Sequence, residues 1–498
     1  MLLPVDFSLL LKDIAEVPQE QDCIVSSITQ DSREAFDGCL FVALKGLHQH
    51  GLAFAEQVQE QGASAIIWES DKSISSLDGL GLNIPCIEVA NLRSYLGLIA
   101  DRFYQSPSNS MNIIGITGTD GKTSVSHFLA QSMDDCAVIG TIGFGKLNDL
   151  HKATHTTPDV LSVHKTLAEF KEQGVKTVAM EVSSHALDQG RVANIRFDVA
   201  VLTNLSRDHL DYHKTLEAYA EAKAKLFSWS GLKDVVLNVD DAFGQKIAKN
   251  RGDGFTYSIS SISNPNNKSL ALLIASDEKF TKDGVQATIS YANQKGQLNA
   301  PVLGRFNLSN LLATLGVMLA LNVTLEDALK HLTKVHTIDG RMEKISNLQA
   351  EDDILIVVDF AHTPNALKTV LKALREHTQK SLICVFGCGG DRDKGKRPMM
   401  AAVAEEFADK VIVTDDNPRT ENPQQIMADI VAGFKQKEKV TIEHDRAKAI
   451  FLALKQAKTG DVVLIAGKGH EKVQILATGT IPFSDQEQAN KVLQELAA

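Results

Sequence analysis

Residues 111–124 read MNIIGITGTDGKTS, an apolar run followed by a glycine-rich turn. The apolar part has the pattern of a buried strand, and the run KTSVSHFLAQSM that starts at Lys122 has the pattern of a helix. In a strand–turn–helix unit, glycines let backbone N–H groups face a phosphate, and the helix N-terminus adds positive potential. The stretch therefore predicts a phosphate-binding loop within an α/β fold.

The loop is a short G-x-x-G-K-T. Its residues are Gly118, Thr119, Asp120, Gly121, Lys122 and Thr123. Lys122 supplies a point charge, and Thr123 is placed to bind Mg²⁺ through its hydroxyl. The usual G-x-x-x-x-G-K-[ST] loop needs glycine at the position of Ile116. An ordinary glycine-rich turn with a surface lysine is the alternative, and the strand–turn–helix context favours the phosphate loop.

Further strand patterns alternate with helical stretches along the chain, which is typical of parallel βαβ units. The strand patterns lie at 39–44, 64–70, 84–90, 175–182, 197–204, 234–240, 354–360, 381–387, 410–415 and 462–467. The polar stretch 254–302 alternates like a β-rich insertion, and a helix is predicted over 308–321. A polar link at 107–110 and a second α/β pattern from about 350 set the predicted domain boundaries near 107 and 340. These give three domains, 1–107, 108–340 and 341–498, as the length of 498 residues also suggests.

Composition excludes several classes of protein. The 44% of hydrophobic residues is typical of a globular chain rather than a disordered one. The net charge of −11 argues against nucleic acid as a partner. No apolar run reaches the roughly 18–20 residues that span a bilayer, and the N-terminus, with Lys12 and Asp13, makes a poor signal peptide. The six scattered cysteines indicate neither a zinc site nor a disulfide framework, so a cytoplasmic location is expected.

Candidate ligand-binding residues follow two of the predicted strands. Glu181 ends one strand, where ligands gather in open parallel sheets, although a solvent-exposed glutamate is the simpler interpretation. His209 and His213 are four residues apart but lack the glutamate of H-E-x-x-H, which makes zinc a weak hypothesis. Ser183 stands in a Ser-Ser-His run, yet no G-x-S-x-G elbow surrounds it.

Ten motifs in chain order together resemble the Mur ligases, specifically the members that add the third amino acid of the peptidoglycan stem. The motifs are GTDGKTS (118–124), HTTPD (155–159), MEVSSHAL (180–187), TNLSRDHLDYH (203–213), GRFNLSN (304–310), DGRME (339–343), DFAHTPNAL (359–367), VFGCGGDRDKGKRP (385–398), DDNPR (415–419) and AGKGHE (466–471). The resemblance extends over essentially the whole chain. It implies an α/β fold of three domains, with a central P-loop ATPase-like parallel sheet and a C-terminal Rossmann-like α/β domain.

The implied activity is ATP-dependent amide ligation in the cell-wall precursor pathway. In such ligases a carboxylate attacks the γ-phosphorus of ATP and becomes an acyl phosphate, which a free amine then attacks. The implied three domains bind, in chain order, the UDP-linked substrate, ATP and the amino acid. A monomer that works on small molecules, with neither nucleic acid nor membrane as partner, is expected.

The resemblance assigns the ATP and Mg²⁺ contacts. Lys122 and Thr123 correspond to phosphate and Mg²⁺ contacts, Glu181 and His209 to magnesium ligands, Asn310 to an adenine contact, and Arg341 and Asp359 to phosphate and ribose contacts. Lys122, Lys223 and His209 are the expected catalytic residues. Lys223 aligns with a lysine that the family carbamylates, which requires a neutral amine; a solvated helix face is the simpler alternative. Asp120 departs from the family, where asparagine is more usual, and has no assigned role.

The UDP-linked substrate is expected between the first two domains. The residues that resemble its contacts are Ser32, Thr156, Thr157, Ser183, Gln189 and Arg191. Arg191 has the clearest physical reason, because the substrate carries carboxylates and a diphosphate. Ser32 is equally well explained as a turn residue. The stretch 46–50 aligns only loosely with uracil contacts.

The motif Asp416-Asn417-Pro418-Arg419 indicates which amino acid is added. In the family, arginine at the fourth position goes with meso-diaminopimelate, whose distal carboxylate a guanidinium can hold at two points. The residues that resemble amino-acid contacts are Arg392, Asp416, Asn417, Pro418, Arg419, Gly467 and Glu471. The same four-residue motif is also a good turn without a ligand.

Four alternatives remain open at this stage. A lysine-adding Mur ligase would share nearly all the motifs, and a folate polyglutamylating synthetase would share the ATP loop and the amide chemistry. A P-loop regulator or motor would hydrolyse ATP without an amine. A catalytically inactive scaffold would not need the intact set of lysine, glutamate and arginine.

Overall fold

The computed structural model describes residues 4–46, 49–71, 74, 77, 80–153, 155–259, 270–345 and 354–497. It divides into two compact units: unit 1 comprises the described chain up to Phe255 together with Leu270, and unit 2 comprises residues 256–259 and the described chain from Ala271. Both units are built from helices and largely parallel sheets, so the predicted α/β class is confirmed. In the described part of the chain no helix is long and apolar enough to cross a membrane.

The first part of unit 1 is a small α/β layer. Its elements are β1 (Val5–Asp6), α1 (Phe7–Leu10), β2 (Ile24–Val25), β3 (Ser27–Thr29), β4 (Cys39–Ala43), α2 (Ala55–Glu60), β5 (Ala65–Glu69), β6 (Cys86–Val89) and α3 (Leu92–Phe103). Strands β3, β4, β5 and β6 form a parallel sheet in that order. Alternate residues of β4 enter two different cores, Leu40 on one face and Phe41 on the other. Because both faces are covered, the strand reads as one continuous apolar run.

The rest of unit 1 carries the predicted strand–loop–helix. Its elements are β7 (Asn112–Thr117), α4 (Lys122–Ser132), β8 (Cys136–Ile139), β9 (Phe144–Lys146), β10 (Asp149–His151), α5 (Val160–Glu172), β11 (Thr177–Glu181), α6 (Ser184–Asp188), β12 (Val199–Leu202), α7 (Leu210–His213), α8 (Leu216–Ala224), β13 (Asp234–Asn238) and α9 (Ala242–Arg251). The parallel strands lie in the order β8, β11, β7, β12, β13. Glu181 pairs with Ile116, and Leu202 with Thr117, so three strands end at one edge of the sheet.

The polar link predicted at 107–110 is a short 3₁₀ helix, Pro107–Ser110, in which Pro107 and Ser108 are buried. The Ser108 hydroxyl accepts a hydrogen bond from the Arg196 backbone (3.2 Å), which satisfies its polar atom inside the fold. The predicted polar link is therefore partly buried, because a polar sequence can be buried when its hydrogen bonds are made.

Unit 2 begins with the predicted β-rich insertion. The chain forms β14 (Phe255–Ser258), β15 (Ala271–Thr281), β16 (Gly284–Tyr291), β17 (Gln294–Ala300), α10 (Arg305–Ala320) and α11 (Leu325–Leu332). Strands β15, β16 and β17 form an antiparallel meander. Helix α10 starts three residues before the predicted 308, directly after Gly304, whose φ of +87° ends the preceding extended chain.

The last part of unit 2 is a second parallel sheet covered on both faces. Its elements are β18 (Glu343–Ile345), β19 (Leu355–Asp359), α12 (Pro364–Arg375), β20 (Leu382–Phe386), α13 (Lys396–Phe407), β21 (Lys410–Val413), α14 (Pro423–Val431), β22 (Val440–Ile442), α15 (Arg446–Gln456), β23 (Val462–Ala466), β24 (Val473–Leu476), β25 (Gly479–Pro482) and α16 (Asp485–Ala497). The sheet order is β18, β19, β23, β20, β21, β22, and only β18 runs antiparallel. The carboxyl ends of β19, β20, β21 and β23 therefore meet at one edge.

Candidate active site

The phosphate loop has the predicted form. Gly118 (φ +148°) and Gly121 (φ +85°) adopt conformations that glycine tolerates best. A Cβ on Gly118 would collide with the Thr203 hydroxyl, so the close approach of β12 also demands glycine. Lys122 opens α4, and its Nζ donates to the carbonyl oxygens of Gly118 (2.9 Å) and Thr119 (2.8 Å). The backbone carbonyls of the loop thus surround the Lys122 ammonium at the edge of the sheet.

Asp120 is held by its backbone rather than its carboxylate. Its N–H donates to Asn204 Oδ1 (3.0 Å), and its carbonyl accepts from Thr203 Oγ1 (2.6 Å). The side chain is exposed, so the extra negative charge of this position is hydrated.

Glu181 is buried, with 1% of its surface exposed, so the interpretation of a solvent-exposed glutamate was wrong. Its Oε2 accepts from Thr123 Oγ1 (3.1 Å) and Thr141 Oγ1 (3.0 Å), and its Oε1 accepts from the Thr141 N–H (3.1 Å). Burial raises the pKa of Glu181, and the nearby Lys122 charge acts in the opposite direction. Oxygen ligands of this kind suit Mg²⁺, and Thr141 is a member of the site that the sequence did not single out.

His209 lies at a left-handed position (φ +51°) just before α7. Its ring is 5.0 Å from that of His185 and 6.0 Å from that of Tyr219, and its Nε2 is 3.4 Å from Asp208 Oδ2. Within the described ranges no group of three or more His, Cys, Asp or Glu side chains is arranged to hold a metal ion. The assignment of His209 as a magnesium ligand stays a prediction.

Lys223 is fully buried in α8, so the alternative of a solvated helix face was wrong. Its Nζ donates to the Gly118 carbonyl (2.8 Å) and lies 4.5 Å from the centre of the Tyr219 ring. Burial, with the nearby Lys122 charge, lowers the pKa of Lys223 to about 6. At neutral pH this side chain is therefore mainly the uncharged amine, which is the form that reacts with CO₂.

The residues expected at the sugar-peptide part of the substrate form one hydrogen-bonded chain that starts at Glu181. Thr156 Oγ1 lies 3.1 Å from Thr141 Oγ1, Thr157 Oγ1 donates to the Glu181 carbonyl (2.8 Å), and the Ser183 N–H donates to Thr157 Oγ1 (3.1 Å). Arg191 continues the chain, with Nη1 donating to the Thr157 carbonyl (2.9 Å) and Nη2 to Gln189 Oε1 (2.6 Å). The fold thus brings together all five residues, which come from two motifs and the segment that follows the second.

Ser32 lies in a cleft of about 1060 Å³ that also includes Arg93, His155 and Lys165. It opens a 3₁₀ helix, Ser32–Glu34, in which Asp31 makes the cap by accepting from the Arg33 N–H (2.9 Å). The turn is therefore stabilised by Asp31 rather than by Ser32. In the loosely aligned stretch 46–50, Gly46 and Gln49 line the same cleft, whereas 47 and 48 lie outside the described residues.

The expected nucleotide contacts of the C-terminal half lie in unit 2. Asn310 is buried in α10, where its Nδ2 donates to Asn307 Oδ1 (3.1 Å). Asp359 ends β19 and accepts from the N–H groups of Met342 and Ala361 (2.7 Å each). Burial raises the pKa of Asp359 to about 6 in spite of these bonds. Arg341, next to Met342, is exposed.

The expected amino-acid contacts gather at the carboxyl edge of the C-terminal sheet. Asp416, Asn417 and Pro418, which follow β21, are buried, and Arg419 is half-buried with φ +54°. Arg419 Nη1 donates to the carbonyls of Gly390 (2.9 Å) and Asn417 (3.3 Å). Gly467 follows β23 with φ +117°, and Glu471 accepts from Asn417 Nδ2 (2.8 Å). Arg392 is exposed on the neighbouring loop.

The sequence did not single out two buried cations that tie these loops together. Arg397 is fully buried, and its guanidinium pairs with Glu421 (2.7 Å) and Asp429 (2.8 Å). Lys468 is also fully buried and pairs with Glu471 (2.9 Å). The sequence clue that could have identified Lys468 is its position between two glycines in AGKGHE, because glycines allow the backbone to turn sharply inward.

Three family models cover most of the chain. The Mur ligase family catalytic domain matches 24–104, the Mur ligase middle domain matches 116–318, and the Mur ligase glutamate ligase domain matches 340–469. The chain belongs to the Mur ligase family. The predicted family, the three-domain α/β fold and the ATP-dependent ligase class are thereby confirmed, whereas the boundaries near 107 and 340 and the roles of individual residues stay predictions.

Several close relatives share one name. The UDP-N-acetylmuramoyl-L-alanyl-D-glutamate–2,6-diaminopimelate ligase of Pseudomonas aeruginosa is 47% identical over 484 residues, which is 95% of this chain and 96% of that protein. The enzyme of the same name from Ectopseudomonas mendocina is 47% identical over 480 residues, with the same shares covered. A solved structure of a ligase of this name superimposes with a TM-score of 0.78 at 34% identity and covers 100% of both chains.

Proposed function

We propose that this chain joins meso-diaminopimelate to the glutamate carboxylate of UDP-N-acetylmuramoyl-L-alanyl-D-glutamate at the expense of ATP, a step of peptidoglycan precursor synthesis. The two relatives named for this reaction match nearly the full length of the chain. The observation that carries the proposal is Arg419 at the sheet edge: its guanidinium donates to the Asn417 carbonyl, the Asn417 amide donates to Glu471, and the Arg419 charge helps to lower the pKa of Glu471. This combination offers a cation for a distal carboxylate and an anion for an ammonium.

The phosphate-handling half of the reaction is assigned to the edge of the central sheet. Lys122 neutralises phosphate charge, and the turn over Gly118 and Gly121 offers backbone N–H groups to the phosphates. Thr123 and Glu181 would hold Mg²⁺, because their oxygens suit this ion. When bound, the ion would neutralise part of the phosphate charge. The reaction then depends mainly on positioning, because the carboxylate must attack in line with the leaving ADP.

Lys223 is proposed to work as a carbamate. Its lowered pKa keeps the amine uncharged at neutral pH, and CO₂ adds only to that form. The reaction forms a bond between Nζ and the carbon of CO₂, with loss of one proton from the nitrogen, and converts the side chain to an anion. Because Nζ lies 2.8 Å from the Gly118 carbonyl of the phosphate loop, an anion formed on it would be suited to help hold a magnesium ion next to the phosphates.

The hydrogen-bonded chain from Thr156 to Arg191 is proposed to hold the sugar-peptide part of the substrate, and the cleft at Ser32 its uridine part. Arg191 is one cation suited to the substrate carboxylates, since its hydrogen bonds in the structure go to neutral oxygens of Thr157 and Gln189. Because Thr141 connects this chain to Glu181, a substrate bound along the chain would have its reacting carboxylate near the metal.

An enzyme that adds L-lysine is the second candidate, because it would use the same ATP and sugar-peptide sites. Arg419 argues against it, since a side-chain ammonium would face the guanidinium. The free state of all six cysteines suits the reducing cytoplasm, where we also propose that the enzyme acts as a monomer.

The test is phosphate release from ATP by the purified chain with UDP-muramoyl-dipeptide and one amine at a time. We expect turnover with meso-diaminopimelate, little with L-lysine and none without an amine. Turnover that needs no amine would indicate a simple ATPase, and equal turnover with both amines would reject the specificity while leaving the ligase class intact.

A further inference from the structure

Lys468 is a fully buried lysine whose ammonium lies close to three polar side chains at once. Its Nζ donates to Glu471 Oε2 (2.9 Å) and Asn417 Oδ1 (3.0 Å), and it lies 3.9 Å from Asp416 Oδ1. Burying an ammonium is costly unless it is paired and hydrogen-bonded. All three partners belong to the set proposed above to hold the amino acid, whereas Lys468 itself has no assigned role.

The backbone on both sides of Lys468 is built to direct it inward. Gly467 has φ +117°, and a Cβ there would lie 2.9 Å from Asp416 Oδ2. Gly469 has φ +53°, and a Cβ there would lie 2.6 Å from Phe360 Cβ. Two close approaches on either side of one residue leave room only for glycine, so the lysine position is rigidly defined.

The ammonium also orients Asn417. Asn417 Oδ1 accepts from Lys468 and from the Ile475 N–H (3.0 Å), which leaves its Nδ2 to donate to Glu471 Oε2 (2.8 Å). The amide therefore has only one orientation that satisfies its partners. Lys468 and Asn417 together place two donors on the same oxygen of Glu471.

Glu471 keeps an accessible side after these bonds. Its side chain is 31% exposed, whereas that of Lys468 is 0% exposed. Burial alone would raise the pKa of Glu471, but the hydrogen bond and charge of Lys468 lower it overall. Glu471 is thus an ionised carboxylate with one oxygen held inside the fold, next to the loop that carries Arg419.

We propose that Lys468 is a positioning residue for the amino-acid substrate: it fixes Glu471 so that the carboxylate meets an ammonium of the incoming amino acid. This inference rests on the proposed function. Without Lys468, the carboxylates of Asp416 and Glu471 would be close neighbours without the cation between them, and Asn417 would lose the partner that sets its amide. Glu471 would then lose its orientation, its charge or both.

The decisive experiment compares steady-state kinetics of the full chain with Lys468→Met, Glu471→Gln and the double variant, each with its thermal unfolding curve. We expect the KM for diaminopimelate to rise about 10- to 100-fold in Lys468→Met, with the KM for ATP within about twofold of wild type. In the Glu471→Gln background, adding Lys468→Met should change the KM for the amine by no more than about twofold. Lys472→Met, an exposed lysine in the same loop, is the matched control and should behave as wild type.

An unchanged KM for the amine in Lys468→Met overturns the proposal, and so do effects of the two substitutions that simply multiply. If Lys468→Met does not fold, Lys468→Arg decides, because it keeps the charge but moves the contact; an unchanged KM for the amine then overturns the proposal. Failure of the proposed function is a different result, since the wild type would then not use diaminopimelate. The same comparison is in that case made with the amine that the wild type does use.

Discussion

Charged side chains at the proposed site are buried, and burial sets their chemistry. Lys223, Glu181 and Lys468 each expose 1% or less of their surface, and Asp359 exposes 8%. Removing a charge from water favours the neutral form unless a partner compensates. Lys468 has such partners, whereas Lys223 rests mainly on neutral oxygens. One lysine is therefore suited to a fixed charge and the other to covalent chemistry.

Lys223→Ala should reduce ligation at least about 100-fold, because the proposed carbamate is a metal-holding anion. A small added carboxylate should restore part of the activity. Carbon-13 NMR of the wild type under labelled CO₂ should show one carbamate signal that the variant lacks. The matched control is Lys225→Ala, whose lysine is 48% exposed and pairs with Asp188 (2.9 Å). A fully active wild type with a bare amine at Lys223 would reject the carbamate.

Arg419→Ala should lose most activity with meso-diaminopimelate and narrow the gap to L-lysine. An unpaired charge costs roughly 3–5 kcal/mol if well buried, which supports a wild-type preference of about 10²–10³-fold. Arg419→Lys should also perform poorly, because an ammonium cannot reproduce the planar two-point contact. The measurement is kcat/KM for both amines with all three proteins. Wild-type activity that is equal for the two amines would contradict the assignment.

The raised pKa of Asp359 predicts that the stability of the fold depends on pH. Its pKa of about 6 lies above the ordinary value of 3.8, so the folded state binds its proton more tightly than the unfolded state does. The stability contributed by this group is present below pH 3.8 and is lost as the pH rises through 6, by about 3 kcal/mol in all. The melting temperature of Asp359→Asn, measured without nucleotide, should therefore increase relative to that of the wild type as the pH rises from 4 to 6.5. The control Asp149→Asn, at an exposed position, should show no such trend.

Glycines at element ends determine how closely neighbouring segments approach. Gly340 precedes β18 with φ +68°, and a Cβ there would collide with the backbone of Gly469 and His470. Its carbonyl accepts from the Phe360 N–H (2.8 Å), so the turn, β19 and the loop after β23 are locked together. The residues proposed to contact nucleotide and amino acid lie on the connected segments.

Gly340→Ala should cost at least about 2 kcal/mol more than Gly460→Ala. Both positions have positive φ, +68° and +88°, so the backbone strain is similar. At Gly460, however, a Cβ meets only the flexible Lys380 side chain, at 3.1 Å. Thermal unfolding of the two variants measures the difference directly. Equal losses would show that the backbone around Gly340 relaxes easily.

At the scale of the whole molecule, unit 1 is held by a core that crosses the predicted boundary at 107. Val160 and Leu161 of α5 belong to the same buried cluster as Leu96 and Phe103 of α3. Gly97 of α3 approaches Ala193 so closely that a Cβ would lie 2.6 Å from the Ala193 carbonyl. The first domain therefore completes its core with residues of the second.

A fragment of residues 1–107 should accordingly unfold at a lower temperature than the full chain, or bind a hydrophobic dye, because it exposes the face of α3 that α5 covers. A fragment of residues 1–255 keeps the shared core and should unfold cooperatively. Circular dichroism during heating compares the two. Cooperative unfolding of 1–107 at the full-chain temperature would show that its core is complete by itself.

The order of elements, the phosphate loop and the membership of the Mur ligases followed from the sequence alone. Strand and helix patterns are local, so MNIIGIT and KTSVSHFLAQSM predicted β7 and α4 almost to the residue. Runs such as DDNPR and AGKGHE supplied, through the family resemblance, the residues proposed for the amino-acid site. Such local patterns do not report burial, as at 107–110, where part of the polar link is buried because its hydrogen bonds are made inside the fold.

Only the tertiary structure determined which of these residues are buried and which partners they meet. Lys223 reads as half of a solvated pair with Lys225, yet the fold brings it against Gly118, 105 residues away, and removes it from water. Thr141 and Lys468 acquire their importance only through Glu181 and Asn417, which lie on other segments. A pKa or an ion pair depends on desolvation and on distant neighbours, and periodicity along the chain contains no information about either.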